Sequence, residues 1–390
     1  MAGMAYPLLV LLLLNTLCVH VADAALRLRV DGAQLIDPSG KPIVLTGFNW
    51  VLAAHHIHEG EGKFMKSILP GTNVVRLVGI LWDNESPPQP GTDCMTNAPP
   101  YFDDACFKEL DFLVKQATDA GLWVILTLRG AVAATNVFND PTLKNHMYQM
   151  WSYVAAHYKD TDRIAAYEIM SEPRDKSATP AQVREFYTGG CAAAQAIDPA
   201  TPCMVGPGPY YKLWHFDTDI LIPNNTNVIY TFDYFVPERY SFGKEQMPTF
   251  PGTYECKDLY RGFQPLTKFC TGKKRGNQPT VFNASWNKRN FVDFAEPLRT
   301  TAQVPIFVNQ WGVVHGVSEA AGRYEYMSST AKSLQELGIG WSWWVWRGGG
   351  GDTWAHGSME FVYDHINGTV EVDQRAVDAV KPYMGTDRHK

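Results

Sequence analysis

Ile164-Ala-Ala-Tyr-Glu-Ile-Met-Ser-Glu-Pro173 is a continuous apolar run that ends in a carboxylate followed by a proline. Apolar runs without alternation are typical of parallel strands that are buried on both faces. In α/β barrels, polar residues just beyond a strand end lie at the mouth where catalytic groups gather. We therefore predict that Glu172 stands at such a mouth, although a Glu before a helix is also a common capping residue.

Similar runs recur along the chain and alternate with amphipathic segments. Together with Leu45 to Phe48, they predict eight strands, and the order of strand and helix predicts an α/β fold, the (β/α)8 TIM barrel. No Gly-x-Gly-x-x-Gly motif follows an early strand, which argues against an open dinucleotide-binding sheet. An opening hairpin around Asp37-Pro-Ser-Gly-Lys-Pro42 is predicted to close the bottom of the barrel. The remaining predicted strands are 73–78, 122–128, 164–170, 203–205, 228–232, 304–308 and 339–345.

The composition indicates one secreted domain. Residues 1–24 are predicted to be a signal peptide, because the apolar run Leu8 to Leu14 precedes the small-x-small sequence Ala22-Asp-Ala24. Residues 25–390 contain no linker or charge block, so we expect a single barrel domain without a membrane span. A net charge of -6 gives no basic surface for nucleic acid. The 12 Trp residues suit either a sugar binder or an aromatic core.

Six cysteines follow the predicted signal peptide, and they fall into three close pairs along the chain. We expect the disulfides Cys94–Cys106, Cys191–Cys203 and Cys256–Cys270, as befits an extracellular protein. No Cys-x-x-Cys motif or Cys/His cluster suggests a metal, and no cofactor is expected.

Several motifs, in order, resemble those of glycoside hydrolase family five, a family of retaining barrel enzymes that includes β-glucanases and β-mannanases. They are the opening hairpin with Gly47-Phe-Asn-Trp50, the block Asn73-Val-Val-Arg-Leu, the Glu-Pro after strand four and the Trp-rich last strand. The resemblance implies that Glu172 is the general acid/base and that Arg76 lies behind the nucleophile. It also implies substrate contacts by Tyr234, Trp311 and Trp344, with Trp344 under the central sugar.

Four positions depart from the family pattern. Gln310 stands where the family has its nucleophilic Glu, and an amide can neither form the covalent ester nor supply negative charge to the transition state. Ser171 replaces the Asn that precedes the acid/base. Arg129 and Asp233 take the places of two histidines at the ends of strands three and six. All four still count among the candidate site residues.

The departures leave several interpretations open. In the first, another carboxylate serves as the nucleophile. Asp233 is the nearest candidate, unless it only pairs with Arg129. Asp352 and Glu360 are weaker candidates. In the second, Gln310 polarises an acetamido group of the substrate. In the third, the chain binds glycans without hydrolysis, as a lectin-like barrel. In the fourth, Gln310 is an isolated Glu-to-Gln change.

The segment Val345-Trp-Arg-Gly-Gly-Gly-Gly-Asp-Thr-Trp354 is predicted to be a mobile loop over the cleft. Trp346 or Trp354 would offer a platform for a sugar, and Arg347 would neutralise an acidic sugar or pair with Asp352. The alternative is a connection that never contacts a ligand.

The leading interpretation is a secreted glycosidase that acts on a β-linked polysaccharide or glycoconjugate, as a monomer, through Glu172 and a second group not yet assigned. The alternative is a catalytically impaired glycan-binding barrel.

Overall fold

The computed structural model describes residues 25–51, 57–82, 94, 102–130, 137–244, 247–259, 279–351 and 357–385. The predicted signal peptide lies outside the described residues.

The chain first forms a small antiparallel sheet of three strands, β1 (Arg29–Asp31), β2 (Gln34–Ile36) and β3 (Pro42–Ile43). The Asp37 carboxylate closes its turn by accepting the backbone N–H of Ser39 at 2.8 Å and of Lys41 at 3.0 Å. The side chain of Leu35 packs in one cluster with residues of the barrel strands. The hairpin predicted from the sequence is therefore confirmed, with a third strand added.

Eight parallel strands close the central barrel, which confirms the predicted (β/α)8 fold. Each predicted run contributes one barrel strand, because β-branched and aliphatic side chains fill both the interior and the layer beneath the helices. The further strands are β4 (Thr46–Val51), β5 (Val74–Trp82), β6 (Trp123–Gly130), β7 (Ile164–Glu168), β8 (Cys203–Val205), β9 (Val228–Tyr234), β10 (Gly252–Glu255), β11 (Pro279–Phe282), β12 (Ile306–Trp311), β13 (Gly340–Trp343), β14 (Arg347–Gly351), β15 (Val362–His365) and β16 (Val370–Val372). Around the barrel the strands follow one another in the order β12-β13-β4-β5-β6-β7-β8-β9.

Helices cover the outside of the barrel, and side-chain caps mark where several of them begin. Thr179 and Gln182 form a capping box, and Asp140 caps a helix whose first residue is a proline. None of the helices among the described residues combines the length and the apolar character needed to cross a bilayer. The α-helices are α1 (Glu61–Ile68), α2 (Asp104–Thr118), α3 (Pro141–Tyr158), α4 (Pro180–Gln195), α5 (Glu238–Ser241), α6 (Cys256–Leu259), α7 (Ala284–Phe294), α8 (Glu296–Ala302), α9 (Arg323–Leu337) and α10 (Gln374–Val380).

Two of the three predicted disulfides are confirmed, Cys94–Cys106 and Cys191–Cys203. The second one joins α4 to strand β8 of the barrel. The third predicted pair includes Cys270, which lies outside the described residues.

The glycine-rich segment differs from the sequence-based expectation. Arg347–Gly351 is the strand β14, which pairs with β15 in a sheet of three strands rather than forming a mobile loop. Trp346 is fully buried, so it offers no face to a sugar. Arg347 donates hydrogen bonds to Glu61 at 3.0 Å and to Asp364 at 2.6 Å, so its positive charge is paired with carboxylates of the protein. The other candidates in this segment, Asp352 and Trp354, lie outside the described residues.

Candidate active site

A cavity of about 280 Å³ opens at the carboxyl end of the barrel. Its wall includes four of the site residues predicted from the sequence, Arg129, Glu172, Gln310 and Trp344. The weaker candidate Glu360 lines it as well. The other lining residues are Val78, Phe235, Phe242, Val345, Gly357, Ser358 and Met359.

The segment that follows β7 holds Glu172 at this cavity. Glu172 has a backbone φ of 49°, a left-handed conformation that is unusual for a residue with a side chain. Hydrogen bonds fasten its neighbours, since Ser171 N donates to Leu128 O at 2.8 Å and Pro173 O accepts Tyr210 N at 2.8 Å. The surrounding backbone therefore maintains the turn that directs Glu172 into the mouth of the barrel.

Arg76 does not reach the cavity, contrary to its prediction as a substrate-binding residue. It is fully buried, and its guanidinium donates to both carboxylate oxygens of Glu168 at 2.6 and 2.8 Å. Further hydrogen bonds of 2.8 Å lead to Asn49 and to the Ser171 hydroxyl. Sequence reasoning missed Glu168, although it lies four residues before Glu172 in the same quoted segment.

The contact between Arg76 and the nucleophile position is indirect. Gln310 Nε2 lies 3.4 Å from the same Ser171 hydroxyl that accepts the guanidinium of Arg76. Ser171 is nearly inaccessible and connects the two groups beneath the cavity. Ser171, which replaces the family's Asn, is therefore buried and hydrogen-bonded to other side chains of the protein.

Asp233 lies beside Glu172 and is almost completely buried. Neither of its carboxylate oxygens receives a hydrogen bond from a donor group of the described residues, so the anticipated pair with Arg129 is absent. Burial and the charge of Glu172 raise the pKa of Asp233 well above its ordinary value, against the opposing charges of Arg76 and Lys212. Asp233 therefore holds its proton more tightly than an exposed aspartate does.

Tyr234 and Trp311 face away from the cavity, so both predictions of a sugar contact are wrong. The two residues are register partners on β9 and β12, one position beyond the register partners Asp233 and Gln310. Because successive side chains of a strand point to opposite faces, this places them on the outer side of the barrel. The Tyr234 hydroxyl bonds to Asn287 and Asn290 of α7, each at 3.1 Å.

Arg129 brings a positive charge to the cavity wall and has no hydrogen bond or ion pair with any described residue. Burial lowers the pKa of its guanidinium, while the charge of Glu172 acts in the opposite direction. The Arg129 charge therefore acts on the Glu172 carboxylate through space rather than through a hydrogen bond.

Aromatic rings form the remaining walls of the cavity. Trp344 is half-buried, and the rings of Phe235 and Phe242 stack with their centroids 5.1 Å apart. Phe242 keeps 38% of its surface exposed. Apolar ring faces of this kind suit the apolar faces of sugars. The two phenylalanines were missed from the sequence, although Phe235 directly follows the strand that ends in Asp233 and Tyr234.

The described residues contain no cluster of metal-binding side chains. Among the described residues, no three or more His, Cys, Asp or Glu side chains come together in a way that could bind a metal ion.

Comparison with known proteins matches most of the chain to one protein family. Residues 36–350 match the model of the family described as cellulase, glycosyl hydrolase family 5. A putative mannan endo-1,4-beta-mannosidase 5 of Oryza sativa is 25% identical over 47% of this chain and 43% of its own length. Endoglucanase 3 of Fibrobacter succinogenes is 22% identical over 63% of this chain and 40% of its own length. The matched region thus spans less than half of these relatives.

Solved structures share the fold of the chain at low sequence identity. Thermotoga maritima Cel5A in complex with mannotriose superposes with a TM-score of 0.62 at 18% identity, covering 87% of this chain and 97% of that one. A broad-specificity GH5-4 endoglucanase from Bacteroides salanitronis has a TM-score of 0.65 at 16% identity, covering 88% and 93% of the two chains.

Proposed function

The chain belongs to the cellulase family, glycosyl hydrolase family 5, and on this premise we propose that it is a glycoside hydrolase of β-linked glycans with Glu172 as its general acid/base. The observation that carries the proposal is the position of Glu172 in a cavity with Trp344 and the Phe235–Phe242 pair. A carboxylic acid in the barrel mouth can protonate the leaving oxygen of a glycosidic bond while aromatic faces hold the sugar.

Gln310 gives the site an unusual chemistry. Its amide can donate a hydrogen bond to a sugar hydroxyl, but it does not attack the anomeric carbon, so hydrolysis needs a second carboxylate. Burial and the charge of Glu172 hold the pKa of Asp233 well above its ordinary value, whereas the nucleophile of a retaining glycosidase acts as an ionised carboxylate. Asp233 is therefore poorly suited to work opposite Glu172.

The substrate class, the location and the oligomeric state are proposed on the same premise. We propose a polysaccharide or glycoconjugate as the substrate and a secreted, monomeric protein. The two disulfides support an oxidising compartment, since such bonds persist there and are rare in the cytosol.

Glycan binding without hydrolysis is the second candidate function, and Gln310 is the observation that favours it. A screen of the purified protein against β-glucans, mannans, chitin and glycolipids separates the two, provided that binding and release of reducing ends are scored independently. We expect cleavage of a β-glucan or a β-mannan. Binding without cleavage would select the lectin-like function, and failure to bind any glycan would exclude both.

A further inference from the structure

We propose that Glu360 is the catalytic nucleophile that works opposite Glu172, in place of the carboxylate that Gln310 lacks. This inference rests on the proposed hydrolase function. It assigns the essential second group to the segment that follows β14 rather than to the end of β12.

The first observation is that Glu360 lines the cavity with one carboxylate oxygen that lacks a hydrogen-bond donor. Glu360 lines the same cavity as Glu172 and Gln310. Its Oε2 atom is buried and receives no hydrogen bond from the described residues. A buried oxygen without a donor is costly for a structural residue, but it is expected for a group that contacts a ligand in the working state.

The second observation is that hydrogen bonds fasten this segment to the chain just beyond Gln310. His315 N donates to Ser358 O at 2.8 Å, and His315 Nε2 lies 2.9 Å from Glu360 O. Because a carbonyl oxygen only accepts, the His315 ring carries its proton on Nε2. Burial and the charge of Arg323 lower the pKa of His315 to about 4, which keeps the ring neutral in this contact.

Further contacts place Glu360 at the same end of the barrel as Gln310. Trp343 Nε1 donates to Met359 O at 2.7 Å. A Cβ atom on Gly312, two residues after Gln310, would come within 2.6 Å of the Met359 sulfur. The segment is therefore packed closely onto the end of β12, and Glu360 lines the same cavity as Gln310.

The third observation is the space that Gly348 leaves for the side chain. A Cβ atom at this position would lie 2.6 Å from both Cγ and Oε1 of Glu360, closer than carbon and oxygen atoms approach without a clash. The glycine-rich strand β14 thus accommodates the Glu360 side chain against its backbone. A side chain at position 348 would therefore displace Glu360.

The chemistry balances with the groups present. The Glu360 carboxylate attacks the anomeric carbon while the glycosidic C–O bond breaks, and the leaving oxygen takes the proton of Glu172. The ionised Glu172 then removes a proton from a water molecule, whose oxygen attacks the same carbon. The ester to Glu360 breaks and both carboxyl groups return to their starting states.

Covalent trapping tests this assignment directly. The full-length protein is incubated with 2,4-dinitrophenyl 2-deoxy-2-fluoro-β-cellobioside or the corresponding mannobioside, digested and mapped by mass spectrometry. We expect the sugar on the peptide that contains Glu360. A label on Asp233, on Asp352 or on no residue of a protein that hydrolyses glycans would overturn the proposal.

Kinetics of Glu360→Gln provide the second measurement. We expect kcat to fall by about a thousandfold or more, as when a nucleophile is removed, with glycan binding and thermal unfolding unchanged. Glu371→Gln is the matched control, because Glu371 is an exposed carboxylate that pairs with His365 in the neighbouring sheet. A Glu360→Gln protein as active as this control would refute the role of Glu360 and leave the hydrolase function standing. If the wild-type protein cleaves no glycan, both fail together.

Discussion

Arg76 and Glu168 form a buried, bidentate ion pair beneath the cavity, with Nε donating to Oε2 at 2.6 Å and Nη2 to Oε1 at 2.8 Å. Both side chains are inaccessible to solvent. Thr127 and Asn309 donate further hydrogen bonds to the same carboxylate, at 2.9 and 3.2 Å. The pair and its two further donors therefore tie together four barrel strands, β5, β6, β7 and β12, beneath the cavity.

Glu168→Gln is expected to lower the free energy of unfolding by about 3–5 kcal/mol, because it leaves the buried guanidinium of Arg76 without a compensating charge. Urea denaturation measures the change. Glu185→Gln removes an exposed partner of Lys144 and is expected to cost about 1 kcal/mol or less. Equal effects of the two substitutions would contradict the importance of the buried pair.

Asp233→Asn is expected to stabilise the protein at pH 8 and to change its stability little at pH 4. The pKa of Asp233 is raised above its ordinary value of 3.8, so the folded state holds this proton more tightly than the unfolded state. Its contribution is fully present below pH 3.8 and is lost as the pH rises through the folded-state pKa, by about 1.4 kcal/mol per pH unit. Unfolding temperatures across this range measure the effect, and a difference independent of pH would be inconsistent with it.

Glu172→Gln is expected to reduce hydrolysis of a polysaccharide by roughly 10²–10⁴-fold, since the leaving oxygen loses its proton donor. The loss should be much smaller for a 2,4-dinitrophenyl glycoside, whose leaving group needs no protonation. Comparing kcat/KM for the two substrates checks this. A similar loss on both would assign Glu172 a role other than general acid.

Trp344→Ala is expected to weaken glycan binding about fivefold, because the half-buried ring loses a stacking contact of roughly 1 kcal/mol. Tyr234→Phe is the matched control. It removes a hydroxyl that bonds to Asn287 and Asn290 behind the barrel wall, so it should lower stability by about 1 kcal/mol and leave binding unchanged. Isothermal titration and urea denaturation separate the two effects. A loss of binding in Tyr234→Phe would argue against the outward position of this residue.

Local patterns in the sequence determined much of the architecture and part of the site. Continuous apolar runs predicted the eight barrel strands, and a carboxylate after the fourth run placed Glu172 at the mouth. Close spacing along the chain predicted the disulfides Cys94–Cys106 and Cys191–Cys203. These features were predictable because strand burial, strand ends and short loops depend on residues that are near one another in the chain.

Only the tertiary structure decided which face each side chain occupies and which groups it contacts. The register between β9 and β12 shifts between Val308 and Gln310. Because one residue of shift exchanges the two faces of a strand, the runs did not reveal which of the neighbours Gln310 and Trp311 would face the cavity. Arg76 pairs with Glu168 across the barrel. Glu360 lies at the cavity because its segment contacts residues about 45 positions earlier, such as His315. Such partners depend on how distant segments pack, which no local pattern records.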